Sequence, residues 1–172
     1  MKVGVVDYKA GNLRSVETAL RYLGADFHLS DRPDELNGVD KLVFPGVGDA
    51  GAAMRRLAEA ALDELIRDFA ARGKPLLGIC LGSQIVLSSS EERGTRCLGL
   101  IEGSARRFAD VPGLKVPHMG WNTVTPVNGS PLFEGIPSSA SFYFVHSYYP
   151  KPSDERHVVE SLAQRGDLDA HD

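Results

Sequence analysis

Short apolar segments alternate with helical patterns over the first 90 residues, and this alternation is the feature that most limits the fold. Apolar residues recur at helical spacing from Leu13 to Leu23 and from Met54 to Phe69. Strands that alternate with helices pair in parallel, with the helices on both faces of the sheet. We therefore predict a three-layer α/β fold. Its four parallel strands are expected at residues 2–7, 25–29, 41–44 and 75–79.

The pattern changes after Glu92. Shorter and more polar segments, separated by glycines and prolines, have strand character at residues 97–101, 105–108, 121–124 and 142–145. They predict an antiparallel extension beside the parallel sheet. A helix is expected over about 83–89, directly after the fourth strand. Since no linker or internal repeat divides the chain, we expect one domain over residues 1–172.

Composition argues against several classes of function. The 172 residues carry a net charge of −4, so no basic surface indicates a nucleic acid or an anionic membrane as partner. No apolar run approaches the roughly 20 residues that cross a bilayer. The N-terminus reaches Asp7 too early for a secretory signal peptide. We expect a cytoplasmic protein. Because Cys80 and Cys97 form no Cys-x-x-Cys pair, we expect no metal and no cofactor.

Cys80 differs from Cys97 in its neighbours. The fourth apolar segment runs directly into Cys80, which has Gly78 and Gly82 on either side and a helical stretch behind it. Such a turn is typical of catalytic nucleophiles, because glycines permit its strained backbone. The thiol would lie at the carboxyl end of a central strand, where α/β proteins bind ligands. It would also lie at a helix N-terminus, which favours the thiolate. We predict that Cys80 is catalytic and that Cys97 is a reduced core residue.

Five motifs resemble those of class I glutamine amidotransferases. Residues 78–84, Gly-Ile-Cys-Leu-Gly-Ser-Gln, are similar to the nucleophile motif of that family, whose members hydrolyse glutamine and pass the ammonia to a synthase. Further motifs resemble the histidine-biosynthesis branch, the glutaminase subunits of imidazole glycerol phosphate synthase. They lie at residues 7–12, 45–51, 115–122 and 143–148. The resemblance covers residues 1 to about 159, and it implies the flavodoxin-like fold of the family.

The resemblance also implies the site. Cys80 would form a γ-glutamyl thioester, with the backbone N–H groups of Val47, Gly48 and Leu81 as the oxyanion hole. Gln84 and Glu92 would lie one and three turns beyond the nucleophile. The residues expected to bind the amino-acid end of glutamine are Gly48, Gln84, Glu92, Ser147 and Tyr148.

The implied partner is the cyclase subunit of imidazole glycerol phosphate synthase, a (β/α)8 barrel that consumes the ammonia. We therefore expect a heterodimer. The residues that the resemblance assigns to the interface are Asn12, Lys115, His118, Trp121 and Asn122.

Some of these residues have simpler interpretations. Residues 45–51 also fit a plain strand-to-helix turn, and Glu91-Glu92 fits a solvated charge pair. Trp121 also fits a core position. His146 adjoins Ser147, but the resemblance does not make it the catalytic base.

The sequence departs from the family in two places. Lys9 stands where the family motif has glycine, and a left-handed backbone there would cost a lysine about 1–2 kcal/mol. The family also carries a late His-Pro-Glu segment, in which His is the general base and Glu orients it. This chain contains no His-x-Glu, and residues 160–172 match nothing expected there. We therefore expect a C-terminally incomplete fold.

Three functional hypotheses follow. The first is a glutaminase that supplies a cyclase with ammonia. The second is a truncated or catalytically defective member that at most binds the cyclase, and the missing His and Glu favour it. The third is a different cysteine hydrolase on a similar scaffold, against which the motifs after residue 110 argue.

Overall fold

A parallel sheet forms the centre of the protein. The computed structural model describes residues 1–10, 12–112, 115–127, 130–158 and 160–162. Strands β1 (Lys2–Val6), β2 (Asp26–Ser30), β3 (Lys41–Gly46) and β4 (Leu76–Cys80) pair in parallel in the order β2-β1-β3-β4. Flavodoxin-like sheets begin with this order. The predicted α/β fold is confirmed.

Helices cover both faces of this sheet. They are α1 (Leu13–Tyr22), α2 (Pro33–Leu36), α3 (Ala50–Glu59), α4 (Leu62–Ala71) and α5 (Leu81–Ile85). Successive strand side chains point to opposite faces, so Val5 packs with α1 while Val6 packs with α3 and α4. In the described part of the chain, none of the helices has the length and apolar character that a membrane crossing requires.

β4 is the edge strand of this sheet in the described part of the chain, whereas the sequence placed Cys80 on a central strand. Leu77 is 50% exposed and Ile79 is 38% exposed. Leu77 pairs in register with Val43, whose side chain packs in the cluster beneath α1. Helix α1 therefore covers β1 and β3 on this face and leaves β4 open.

Two further sheets form the predicted antiparallel extension. One contains β5 (Leu87–Ser90), β6 (Thr95–Arg96), β7 (Ile101–Arg107) and β10 (Tyr148–Pro152) in the order β10-β7-β5-β6. The other contains β8 (His118–Pro126), β9 (Ser141–His146) and β11 (Glu160–Leu162) in the order β11-β8-β9. All of these pairings are antiparallel except β5 with β7.

The prediction of one long helix from Met54 to Phe69 is wrong, because two separate helices, α3 and α4, occupy this segment. Ala61 adopts a left-handed backbone, with φ 54° and ψ 22°. The break lets Leu57 and Leu62 both reach the core, where neither is exposed. Apolar spacing continues through the break, so the sequence pattern does not reveal it.

Two other predicted elements also differ. The helix expected over 83–89 ends at Ile85, and the chain continues as β5. The strand expected over 97–101 begins only at Ile101. The segment before it is held by single hydrogen bonds from Cys97 N to Ser88 O (3.0 Å) and from Leu98 N to Ile85 O (2.9 Å). These bonds stabilise an irregular segment instead of a ladder.

The left-handed backbone of Ala61 predicts an unusual response to glycine. Ala61→Gly should leave the free energy of unfolding unchanged or raise it by up to about 1 kcal/mol, because glycine adopts this conformation without strain. Ala58→Gly, at an exposed position inside α3, should lower it by about 1 kcal/mol. Urea unfolding of both variants measures the difference. A loss at Ala61 as large as that at Ala58 would contradict the break.

Candidate active site

Cys80 occupies a strained turn between β4 and α5. Its backbone has φ 57° and ψ −117°, a conformation that residues with a side chain rarely adopt. Strain of this kind costs on the order of 1–3 kcal/mol and is found mainly at functional sites. The turn leaves the thiol exposed. The structure therefore has the strand–cysteine–helix turn that the sequence predicts.

Glycines on both sides let this turn pack closely. A Cβ on Gly82 would collide with the carbonyl oxygen of Phe44 in β3. A Cβ on Gly78 would lie 2.8 Å from the carbonyl carbon of Gly82. The Ser83 hydroxyl closes the turn by donating to the Cys80 carbonyl at 2.7 Å. Both positions require glycine, because the backbone itself occupies the space.

The turn after β3 lies beside Cys80. Gly46 pairs in register with Cys80, so Val47 and Gly48 follow at the same edge of the sheet. In the part of the chain that is described, the N–H groups of Val47 and Gly48 donate to no hydrogen bond. Leu81 is the first residue of α5, where N–H groups lack partners within the helix. The three backbone donors expected for an oxyanion hole therefore lie at two adjacent strand ends.

Glu92 binds the start of α3, next to the turn Val47–Gly48, which is called the oxyanion turn after its expected role. Its carboxylate accepts a hydrogen bond from Ala50 N at 2.7 Å, and Asp49 accepts one from Ala52 N at 2.8 Å. Both carboxylates therefore cap the N-terminus of α3, where negative charge is favourable. The expectation that Glu92 lies three helical turns beyond Cys80 is wrong, because α5 ends at Ile85. Glu92 begins a short 3₁₀ helix, Glu92–Gly94.

Gln84 and Tyr148 meet on the other side of α5. Gln84 is 8% exposed, and its Nε2 donates to the Tyr148 carbonyl at 3.1 Å. The Ser147 carbonyl accepts a hydrogen bond from Phe108 N at 3.0 Å, which fixes the position of Ser147. The structure therefore brings Gln84, Ser147 and Tyr148 together, while the Glu92 side chain caps α3.

Tyr8 is a member of the site that the sequence analysis missed. Its ring is 3% exposed at the end of β1, and its hydroxyl lies against Gly46, where a Cβ would collide with it. Among the described residues, this hydroxyl is the one buried side-chain polar atom without a hydrogen-bond partner. Burial, with a smaller contribution from Cys80, raises the pKa of Tyr8 far above its ordinary value. Its place in the opening motif was the available signal.

Lys9 has the left-handed backbone that its glycine counterpart suggested, with φ 59°. Its Nζ lies 3.0 Å from a carboxylate oxygen of Asp31 and 3.0 Å from one of Asp7. These two carboxylates raise the pKa of Lys9. Because the side chain is 68% exposed, solvent screens both pairs and they offset little of the strain.

The expected interface residues divide between two environments. Trp121 is 70% exposed on the outer face of the β8–β9 hairpin, so its alternative role as a core residue is wrong. Lys115 is exposed, and so is Asn12, which caps α1 through Ser15 N at 3.3 Å. His118 and Asn122 instead lie half-buried on the inner face of the hairpin. The outer face also exposes Met119, Tyr143 and Val145.

Cys97 differs from Cys80 in both burial and chemistry. It is 4% exposed, and burial, with a smaller contribution from Glu92, raises its pKa to about 11. Across the described ranges, no three histidine, cysteine or carboxylate side chains are grouped to hold a metal ion.

Comparison with known proteins identifies the family. Residues 4–168 match the family model described as glutamine amidotransferase class-I. The chain belongs to this family. It is 47% identical over 156 residues to imidazole glycerol phosphate synthase subunit HisH of Desulfovibrio desulfuricans, covering 87% of this chain and 72% of that protein. It is 42% identical over 165 residues to the subunit HisH of Dehalococcoides mccartyi, covering 95% and 79%. These matches support the HisH branch of the family.

Solved structures agree on the fold. A crystal structure of a glutamine amidotransferase superposes with a TM-score of 0.68 at 22% identity, covering 93% of this chain and 79% of that one. PurLQS from Thermotoga maritima superposes with a TM-score of 0.69 at 22% identity, covering 95% and 74%. At this identity the likeness establishes the fold of the amidotransferase domain.

The contrast between the two cysteines predicts selective alkylation. At pH 8, a thiol with a pKa of about 11 is ionised to roughly one part in a thousand, so Cys97 should react slowly. A glutamine-mimicking electrophile should modify the exposed Cys80 at least about tenfold faster. Mass spectrometry of digested protein measures both rates, and urea-unfolded protein serves as the control in which both react. Equal rates in the folded protein would contradict this assignment.

The unpaired hydroxyl of Tyr8 predicts that its removal stabilises the protein. Tyr8→Phe should raise the free energy of unfolding by about 1 kcal/mol, because a buried polar group without a partner carries its desolvation cost uncompensated. Tyr22→Phe is the matched control, since Tyr22 is 89% exposed and its change should have no effect. Thermal and urea unfolding measure both. A destabilised Tyr8→Phe variant would show that the hydroxyl has a stabilising partner.

Proposed function

We propose that this chain is a glutaminase that releases ammonia from glutamine at Cys80 and supplies it to the cyclase subunit of imidazole glycerol phosphate synthase, in histidine biosynthesis. The observation that carries this proposal is the register of Gly46 with Cys80, because it sets an exposed thiol beside the N–H groups of Val47 and Gly48, which have no acceptor among the described residues. The names of the relatives support the choice of synthase. We take residues 1–172 as a single amidotransferase domain.

The reaction proceeds in two steps. The Cys80 sulfur attacks the side-chain amide carbon of glutamine, and the N–H groups of Val47, Gly48 and Leu81 stabilise the negative oxygen that forms. The C–N bond then breaks, and the nitrogen leaves with a proton as ammonia. Water attacks the resulting γ-glutamyl thioester, and cleavage of the C–S bond releases glutamate and restores the thiol.

The amino-acid end of glutamine would lie towards α5 and β10. Gly48, Ser147 and Tyr148 offer backbone groups there, and Gln84 fixes the position of Tyr148 through its hydrogen bond. Glu92 would contribute through the oxyanion turn, which it holds by capping α3.

A second candidate function is supported by the surroundings of Cys80. Among the described residues, no histidine is hydrogen-bonded to Cys80, and the sequence lacks a His-x-Glu segment. A thiolate forms the thioester without a strong base, but water must lose a proton to hydrolyse it. This candidate is a family member that forms the Cys80 thioester, hydrolyses that thioester slowly and still binds its cyclase.

The partner would bind on the side that carries the exposed interface residues. Trp121 with Met119, Tyr143 and Val145 forms an exposed apolar face, and aromatic residues commonly anchor such interfaces. Asn12 and Lys115 add exposed polar groups. A heterodimer with a (β/α)8 barrel cyclase fits this combination.

Rapid-mixing kinetics with the cyclase partner test the proposal. A member that hydrolyses slowly should release about one equivalent of ammonia per chain in a fast phase, as the thioester forms, and then glutamate about 10⁴-fold more slowly than a complete glutaminase. The cyclase should form product when ammonium is supplied directly. Cys80→Ser is the control and should abolish the fast phase.

The outcomes separate the two candidates. A slow steady state after the fast phase supports the member that acylates and hydrolyses slowly. Rapid steady-state turnover supports a complete glutaminase. Absence of the fast phase and of turnover would contradict any glutaminase role of Cys80.

A further inference from the structure

Two histidines connect the hairpin to the candidate substrate site through hydrogen bonds. Asn122 Nδ2 lies 2.6 Å from His118 Nε2, and His118 Nδ1 lies 3.0 Å from His146 Nε2. His146 Nδ1 then lies 3.0 Å from the Tyr148 carbonyl oxygen. We refer to Asn122, His118, His146 and the Tyr148 carbonyl as the histidine chain. It runs from β8 through β9 to β10.

The direction of each hydrogen bond follows from the last group. A carbonyl oxygen only accepts, so His146 Nδ1 carries a hydrogen. In a neutral ring, His146 Nε2 is then an acceptor, and His118 Nδ1 must donate to it. His118 Nε2 becomes an acceptor in turn, which matches the donating amide of Asn122. With both rings neutral, each carries its hydrogen on Nδ1, and every hydrogen bond in the histidine chain then has one donor and one acceptor.

Aromatic rings hold both histidines in place. Phe108 packs edge-on against His146, with centroids 4.9 Å apart, and Phe144 stacks on His118 at 5.5 Å. Phe108 is buried, and both histidines are half-buried. Hydrogen bonds in such an apolar environment are stronger than in water, so the arrangement resists rotation of either ring.

The histidine chain ends on the carbonyl that Gln84 also uses. Tyr148 O accepts from His146 Nδ1 at 3.0 Å and from Gln84 Nε2 at 3.1 Å. Gln84 belongs to α5, which begins directly after Cys80. The Tyr148 peptide is therefore held between the nucleophile helix and the hairpin, and each of its two donors comes from a different element.

We propose that His146 and His118 are positioning residues that orient the Ser147–Tyr148 backbone for the carboxylate end of glutamine. The inference rests on the proposed function, because it assumes that glutamine is bound there. Among the described residues, neither histidine is hydrogen-bonded to Cys80. His146 acts through the Tyr148 carbonyl, and His118 acts by fixing the tautomer of His146.

Substitutions at His146 separate hydrogen bonding from packing. His146→Phe keeps a ring against Phe108 but loses the donor, while His146→Asn places an amide N–H near the position of Nδ1. His118→Phe keeps the stacking with Phe144 and loses the donor to His146. The matched control is His157→Phe, an exposed histidine outside the site.

The readout is the alkylation of Cys80 in the full chain. A glutamine-mimicking chloroketone reports recognition of the amino-acid end, through its half-saturation concentration and limiting rate, and iodoacetamide reports the accessibility of the thiol alone. His146→Phe should raise the half-saturation concentration about five- to tenfold, and His118→Phe less. His146→Asn should bring the half-saturation concentration most of the way back to that of the unsubstituted protein. The rate with iodoacetamide and the thermal unfolding temperature should stay near those of the unsubstituted protein.

Each possible result bears on one hypothesis. If the unsubstituted protein reacts with iodoacetamide but shows no saturation with the chloroketone, the proposed function fails before any variant is compared. If it saturates and His146→Phe behaves like His157→Phe, the positioning role is overturned. Equal losses in His146→Phe and His146→Asn would also overturn it. Should His146→Phe fail to fold, His118→Phe decides by the same comparison.

Discussion

The contact between Gly82 and the carbonyl of Phe44 determines the geometry of the candidate site. It brings the start of α5 against β3 more closely than any side chain would permit. Because β3 continues into Val47 and Gly48, the same contact fixes the thiol relative to the oxyanion turn. Gln84 lies four residues after Cys80, and its hydrogen bond to the Tyr148 carbonyl links this arrangement to β10. The functional groups are thus positioned by backbone packing and by few side chains.

Three unfavourable features lie near the carboxyl edge of the parallel sheet. Lys9 and Cys80 both adopt left-handed φ values, and the Tyr8 hydroxyl has no hydrogen-bond partner among the described residues. Each costs stability on the order of 1 kcal/mol or more. The core of β1, β3 and the helices offsets these costs, since Val5, Phe44, Leu57 and Phe69 are fully buried. This distribution is typical of enzymes, in which a rigid core supports a strained site.

The sequence predicted the parts of the structure that depend on short-range patterns. Apolar runs located β1 to β4, and the glycines around Cys80 predicted its turn. Breaks that depend on tertiary packing escaped prediction, because Ala61 has no sequence feature that marks a left-handed residue. The polar strand β5 is specified by its pairing with β7, not by its own sequence.

In the candidate site, too, the sequence predicted individual residues but not the contacts that tertiary packing creates between them. The resemblance proposed Gln84 and Tyr148, and the structure adds the hydrogen bond that joins them. The histidine chain was not predictable, because His118 and His146 are 28 residues apart and meet only through the register of β8 with β9. Glu92 was assigned to the wrong element, because α5 ends at Ile85 and strand β5 lies between it and Glu92.

The backbone of Cys80 also has a consequence for how such a chain changes over generations. At φ 57° and ψ −117°, glycine is less strained than any other residue. Selection for stability alone would therefore replace the cysteine at this position. A lineage that no longer used the thiol would gain stability by exchanging it for glycine. This chain is thus less stable at the turn than glycine would make it, and in return it carries a sulfur atom there.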